Sequence, residues 1–213
     1  VIFFTHNIES EKQFKQLIID IYKEAVIPIF FSIDQEGGRV ERTENIHKRY
    51  LSQKYAFERG LDFLKVQTTK IAEELHEFGI NMNFAPCIDV NSNPDNPIIG
   101  ERAFSDNPSD VCNGCDIVTN VIREHNIIPV VKHFPGHGNA DKDSHKELPN
   151  INLSLQEMES IHILPFIHSV KNGIDAIMIA HLHCSCFDKD EIPTSLSKNC
   201  INYLRNVLKF NGI

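Results

Sequence analysis

The sequence predicts an α/β fold built on a parallel sheet, and three observations predict it. Short apolar, β-branched runs alternate with longer stretches whose apolar residues recur at helical spacing. The helical stretches are bounded by capping or breaking residues. Polar residues cluster just after most of the apolar runs, where a parallel sheet gathers strand ends on one face.

Residues 1–4 read as the first strand. Ser10 with Gln13 three residues on forms a capping box. Phe14, Leu17, Ile18, Ile21 and Tyr22 follow as one apolar stripe. Pro28 closes that element before a strand at 29–33. Leu64, Ile71, Leu75 and Phe78 stripe a second helix, and Gly79 suits its C-terminal left-handed position. A strand is expected over 80–88, partly alternating. Asn107-Pro108 is an N-cap followed by a first-turn proline, ahead of Val111, Cys115, Val118 and Ile122.

Residues 127–131 form the next apolar run. Ser154 and Glu157 make another capping box before Ile161, Leu164, Ile167 and Val170. Pro165 inside that stripe predicts a kink, and Gly173 closes it. A strand at 176–180 leads to a last helix striped by Ile201, Leu204 and Leu208 and ended by Gly212. Residues 43–59 show no motif.

Repeated strand–helix units imply right-handed crossovers and leave two architectures, an open doubly wound sheet and a closed (β/α)8 barrel. Gly37-Gly38 is not the G-x-G-x-x-G of a dinucleotide site. Asp34, Asp89, Lys132, His133, His181 and His183 follow several different strands, which favours the barrel.

A chain of 213 residues can bury one sizeable core, and one domain is expected. The net charge of −8 argues against nucleic acid as a partner. No apolar run approaches the roughly 20 residues of a membrane span. Cys112-x-x-Cys115 has no partner pair, so packing thiols are expected rather than zinc ligands. The chain opens inside a strand-like run and stops at Gly212-Ile213 as another should begin. It reads as part of a longer protein, which leaves its compartment open between cytoplasmic and exported.

The densest chemistry lies in 131–145, VKHFPGHGNADKDSH. A lysine at a strand end is costly unless paired or bound to a ligand, which singles out Lys132. Asp34, Arg39 and Arg42 on one loop suit recognition of adjacent hydroxyls, or equally a structural ion pair. Arg102 alone reads as a solvated charge, and Asp89 as a carboxylate capping backbone N–H groups. His137 is expected to bond within its loop. Asp143 and His145, spaced D-x-H, are either a solvated polar stretch or a carboxylate orienting an imidazole for proton transfer. His133, His137, His181 and His183 leave a metal-dependent hydrolase as a rival, although no carboxylate bridges them.

KHFPGHG followed by D-x-H resembles glycoside hydrolase family 3, in its β-N-acetylhexosaminidase branch. IDQEGGRVER at 33–42, NFAPCIDV at 83–90 and NPDNPIIGERAF at 93–104 share the resemblance, which runs nearly end to end. It implies that residues 1–213 are a single, incomplete N-terminal catalytic domain. That domain would be a (β/α)8 TIM-type barrel lacking its first and its last one or two strands. It implies substrate-binding roles for Asp34, Arg42, Arg102, Lys132 and His133, and an acid/base dyad of His145 with Asp143. A histidine in place of the usual second carboxylate points to this branch over the β-glucosidases. The nucleophilic Asp is expected shortly past Ile213. The implied reaction is retaining exo-β-N-acetylglucosaminidase chemistry on a small carbohydrate substrate, a GlcNAc glycoside such as a muropeptide in peptidoglycan turnover. No metal or organic cofactor is implied. A non-catalytic sugar-binding protein and a phosphate-using phosphorylase are the alternatives.

Overall fold

A computed structural model describes residues 1–140 and 147–213. Its strands are β1 (Ile2–Phe3), β2 (Ser32–Ile33), β3 (Met82–Asn83), β4 (Ile128–Phe134), β5 (Asn150–Ile151), β6 (Ala176–Ile179) and β7 (His183–Cys184). One five-stranded sheet has the order β1-β2-β3-β4-β6, and every neighbouring pair is parallel. Ile2, Ser32, Met82 and Ile128 stand in one register row. β1, β2 and β3 therefore end together, while β4 runs on five residues past them alongside the segments that follow. Ile213 adds two backbone bonds to the free side of β6, at Asp175 and Ile177. A second sheet pairs β5 with β7, also parallel. The structure is thus α/β with a parallel sheet, and the described strands leave it open between β1 and β6.

The helices are α1 (Glu11–Glu24), α2 (Gln53–Glu58), α3 (Leu61–Phe78), α4 (Pro108–Glu124), α5 (Leu155–Glu157), α6 (Leu164–Lys171) and α7 (Lys198–Asn202). Ser10 Oγ accepts from Gln13 N–H, and Asn107 Oδ1 accepts from Ser109 and Asp110 N–H, each filling an orphan donor at a helix start. Ser154 and Glu157 form the reciprocal box. Gly79 ends α3 with φ +87°, where a side chain would be strained. Phe14 and Ile18 of α1, Leu64, Ile71, Leu75 and Phe78 of α3, and Val111, Cys115, Val118 and Ile122 of α4 are buried in one core with β1, β2 and β4. Each such large side chain contributes roughly 1.5–3 kcal/mol of transfer free energy.

Several expected bounds shift for physical reasons. The strand expected over 80–88 is broken into β3 and a single parallel bridge of Cys87 to Lys132, because Pro86 has no N–H to donate and Asn83 turns its amide onto Gln35. Pro165 does not kink a continuous helix. A π-helical turn, Met158–His162, separates α5 from α6, and Pro165 lies in the first turn of α6, where no N–H is needed. The last helix runs from α7 into a second π-turn, Tyr203–Val207, and Lys209 with φ +61° turns the chain before Gly212 is reached. α2 and the β5–β7 pair were not expected, and α2 falls in the stretch that showed no motif.

Candidate active site

β4 continues three residues beyond its apolar run, so Lys132 and His133 belong to the strand itself. The Lys132 side chain is 1% exposed. Its ammonium donates to Asp34 Oδ1 at 2.7 Å and meets Glu36 Oε1 at 2.5 Å. Two anions on a buried lysine satisfy the requirement that buried charge be paired. Arg102, held in a 3-10 turn at Gly100–Arg102, grips the other side of Glu36 through Nε at 2.9 Å and Nη2 at 2.8 Å. This fork is the planar geometry that suits guanidinium to carboxylate. Burial alone would raise the Glu36 carboxyl; Lys132 and Arg102 outweigh it and hold the group down at about 2.

Asp34 is the member of this cluster that faces outward, with its side chain 21% exposed. Lys132 takes Oδ1, and Arg42 approaches Oδ2 at 3.6 Å. Gln35 points the other way along the extended chain. It donates to Thr43 Oγ1 at 2.8 Å and accepts from the Arg42 N–H at 2.8 Å, which fixes the loop that presents Arg42. Gly37 makes the turn between them. Its φ is +93°, and a Cβ there would lie 2.4 Å from the Leu51 carbonyl oxygen. Arg39 is not part of the cluster: its guanidinium donates to the carbonyls of Pro97, Ile98 and Ile99 and so ties the two loops together.

His133 stands between Asp89 and Arg102. Its Nδ1 is 2.6 Å from Asp89 Oδ2, and its Nε2 is 3.3 Å from Arg102 Nη2. A guanidinium has only donors, so Nε2 must offer its lone pair. The proton then sits on Nδ1 and is donated to Asp89, and the ring is neutral. The directions of the shifts agree. Burial pulls the His133 imidazole below its usual value despite Asp89. Burial would raise Asp89, but His133 and the N–H groups it accepts hold it well below the usual carboxylate range. Asp89 also accepts from the His137 N–H at 2.6 Å. It therefore caps backbone as expected, but the backbone is that of residues 133–137 rather than of the loop after Asp89.

The KHFPGHG turn packs on the segment after β3. A Cβ on Gly138 would fall 1.8 Å from the Val90 carbonyl oxygen, so only glycine fits there. The expectation for His137 is corrected: its backbone is held by Asp89 and Asn96, while both ring nitrogens are buried without a partner among the described residues. Gln53, from the unexpected α2, donates to the carbonyls of Cys87 and Arg102 and accepts from the Cys87 N–H.

The four histidines of the metal-hydrolase rival are not gathered. His181 bonds Ser195, and His183 bonds Asn150 and the Asp188 carbonyl. Among the described residues, Cys87, Asp89 and His133 do bring three donor atoms within 4.8 Å of one another. Burial pushes the Cys87 thiol up, with Asp89 beside it, so a cation there would have to displace both the thiol proton and the Nδ1 proton. Asp143 and His145 lie outside the described residues.

The chain as a whole has counterparts among known proteins. The model of the glycosyl hydrolase family 3 N-terminal domain matches residues 1–213. The chain belongs to glycosyl hydrolase family 3. Beta-hexosaminidase A of Pseudoalteromonas piscicida is 32% identical over 94% of the chain and 35% of its own length. A family 3 beta-N-acetylglucosaminidase structure from Paenibacillus sp. str. FPU-7 matches all of the chain with TM-score 0.94 at 31% identity, over 41% of that protein. NagZ from Neisseria gonorrhoeae, in complex with N-trifluoroacetyl-D-glucosamine, matches all of it with TM-score 0.90 at 27% identity, over 64% of that protein. The chain thus spans from about a third to just under two thirds of these relatives' lengths.

In this family 3 chain the structure brings Asp34, Arg42, Arg102, Lys132 and His133 to one rim. Glu36, which joins Lys132 to Arg102, was not anticipated. The signal was present: Asp34 and Glu36 are two apart on an extended run, so their side chains share a side. No described helix is long and apolar enough to cross a membrane.

Proposed function

We propose that this chain carries the sugar-gripping half of a retaining exo-β-N-acetylglucosaminidase. The observation that supports it most is the half-open Asp34 carboxylate, pre-oriented by buried Lys132 and flanked by Arg42. A carboxylate with one oxygen fixed and the other turned out accepts from adjacent sugar hydroxyls without first reorganising. Arg102 and Lys132 act from beneath, because both are committed to Glu36. Asp34 and Arg42 supply the polar contacts, and His133, its ring nitrogens engaged by Asp89 and Arg102, holds Arg102 in place. The names of the relatives support β-N-acetylglucosaminide as the substrate class. The same reading takes the sheet as an arc of a (β/α)8 barrel and residues 1–213 as part of one catalytic domain, for which sequential parallel strand order is the support.

His145, oriented by Asp143, protonates the leaving oxygen and then activates water. Asp34, Glu36 and Asp89 are each engaged by cations or N–H donors and are not cast as the nucleophile. The test is proton NMR of the full-length enzyme acting on an aryl β-N-acetylglucosaminide. The β-anomer of the free sugar appearing first is expected. The α-anomer first would overturn retention, and no turnover would overturn the glycosidase reading.

A further inference from the structure

Far from Lys132 in sequence, two thiols share a turn. Cys184 ends β7, and its carbonyl accepts from the N–H groups of Phe187 at 3.0 Å and Asp188 at 3.3 Å. That turn folds Cys186 back, and the two sulfurs stand 3.3 Å apart. Closure to the ~2.05 Å of a disulfide needs only about 1.3 Å of approach. Cys184 is 1% exposed, whereas Cys186 reaches the surface. The pair has one entrance and a buried second sulfur behind it. Contact between them also favours the Cys184 thiolate, while Cys186 holds its proton more tightly. Cys200 lies close by and is buried, and Asp188 and Glu159 are the acidic neighbours. All three cysteines are free thiols.

The position gives this pair leverage. β7 holds β5 in register, Asn150 opposite His183 and Ile151 opposite Cys184. Ser185 N–H donates to the Ile151 carbonyl, and His183 N–H to the Pro149 carbonyl. β5 begins four residues after the segment that bears Asp143 and His145. Any change in the backbone at 184–186 is therefore felt at Pro149 and along β5.

We propose that Cys184 and Cys186 form a redox-modification site, closed to a disulfide by a peroxide-class oxidant, that lowers activity by altering β5, the strand that follows Asp143 and His145 in the chain. The proton of Cys186 passes to the Cys184 thiolate 3.3 Å away as the Cys186 sulfur attacks one peroxide oxygen. The O–O bond breaks, Cys186 becomes a sulfenic acid, and the departing hydroxide takes that proton back from Cys184 to leave as water, which restores the Cys184 thiolate. The Cys184 thiolate then attacks the Cys186 sulfur, the S–O bond breaks, and the departing hydroxide takes the remaining proton as a second water. Two thiols lose two electrons and one peroxide gains them. The effect on activity rests on the acid/base reading of His145; the modification does not.

The experiment treats the full-length enzyme with hydrogen peroxide, blocks residual thiols and maps the peptides by mass spectrometry, with activity on an aryl β-N-acetylglucosaminide followed in parallel. The expected result is a mass about 2 Da lower on a peptide holding both Cys184 and Cys186, reversed by a dithiol reductant. It persists in Cys200→Ser and is lost in Cys186→Ser. Activity is expected to fall several-fold with the disulfide and return on reduction, while Cys186→Ser keeps its activity through the treatment. Unmodified thiols, a bond through Cys200, or sulfinic acid without a disulfide would overturn the modification. A disulfide that leaves turnover unchanged would overturn the control of activity. Lack of turnover in both the reduced and the oxidised enzyme would instead overturn the glycosidase reading and, with it, that control, with the disulfide result standing.

Discussion

Glu36→Gln is the change from which the structure allows the most to be worked out. The carboxylate lies between Lys132 and the Arg102 fork, 1% exposed, and neutralising it leaves two buried cations with Asp34 on Lys132 and Asp89 near Arg102 as the remaining anions. Its pKa is about 2 in the fold against an ordinary 4.5. At ~1.36 kcal/mol per pKa unit, ionised Glu36 contributes about 3 kcal/mol to folding. That agrees with the ~3–5 kcal/mol lost when one partner of a buried ion pair is removed. The folded value is the depressed one, so this stability is complete above about pH 4.5 and is lost as pH falls toward about 2. Urea unfolding followed by circular dichroism at pH 7 should show the variant weaker by about 3 kcal/mol. The melting temperature should fall by roughly 6–12 °C for a domain of this size. Stability should also depend less steeply on acid below pH 4.5 than in the parent. A variant within about 1 kcal/mol of the parent would refute the claim that Glu36 joins these two cations.

Three further outcomes follow from the same geometry. Nitrogen-15 NMR of His133 should show a protonated Nδ1 and a lone pair on Nε2 at about pH 7–8, since burial lowers its imidazole below the ordinary 6.5; an imidazolium at about pH 7 would contradict the tautomer that Arg102 imposes. Gly138→Ala forces a Cβ onto the Val90 carbonyl at 1.8 Å, and a thermal melt should register a loss of roughly 2–4 kcal/mol. His145→Ala should slow turnover of glycosides with poor leaving groups by ~10²–10⁴-fold and of activated aryl glycosides far less; equal losses for both would remove the acid role.

The element order was legible because each helix announces itself twice, by an apolar stripe and by a cap. Ser10, Asn107, Ser154 and Gly79 sit where the sequence placed them, and each does the hydrogen-bonding or conformational work that such residues do. Strand lengths were less legible. Apolar run length reports burial, but pairing depends on donors, so Pro86 cuts β3 short and polar Lys132 and His133 extend β4. At the site, Asp34, Arg42, Arg102, Lys132 and His133 were found through family resemblance, and their contacts explain why those residue types are needed. Glu36 escaped because its spacing from Asp34 shows only that the two share a side; its role as the anion between two buried cations follows from partners that lie 66 and 96 positions away in the chain. Gln53 escaped for the same reason: its amide bonds two backbone segments remote in sequence.

Asp34 as a contact for the sugar is the claim on which the proposed function depends most. Calorimetric titration of N-acetylglucosamine into the full-length protein and into Asp34→Asn measures that contact alone. Hydrogen bonds to a charged group are worth ~1.5–3 kcal/mol, so the variant should bind roughly ten- to a hundredfold more weakly. Equal affinities in the two proteins would place the sugar elsewhere and contradict a sugar site built on Asp34.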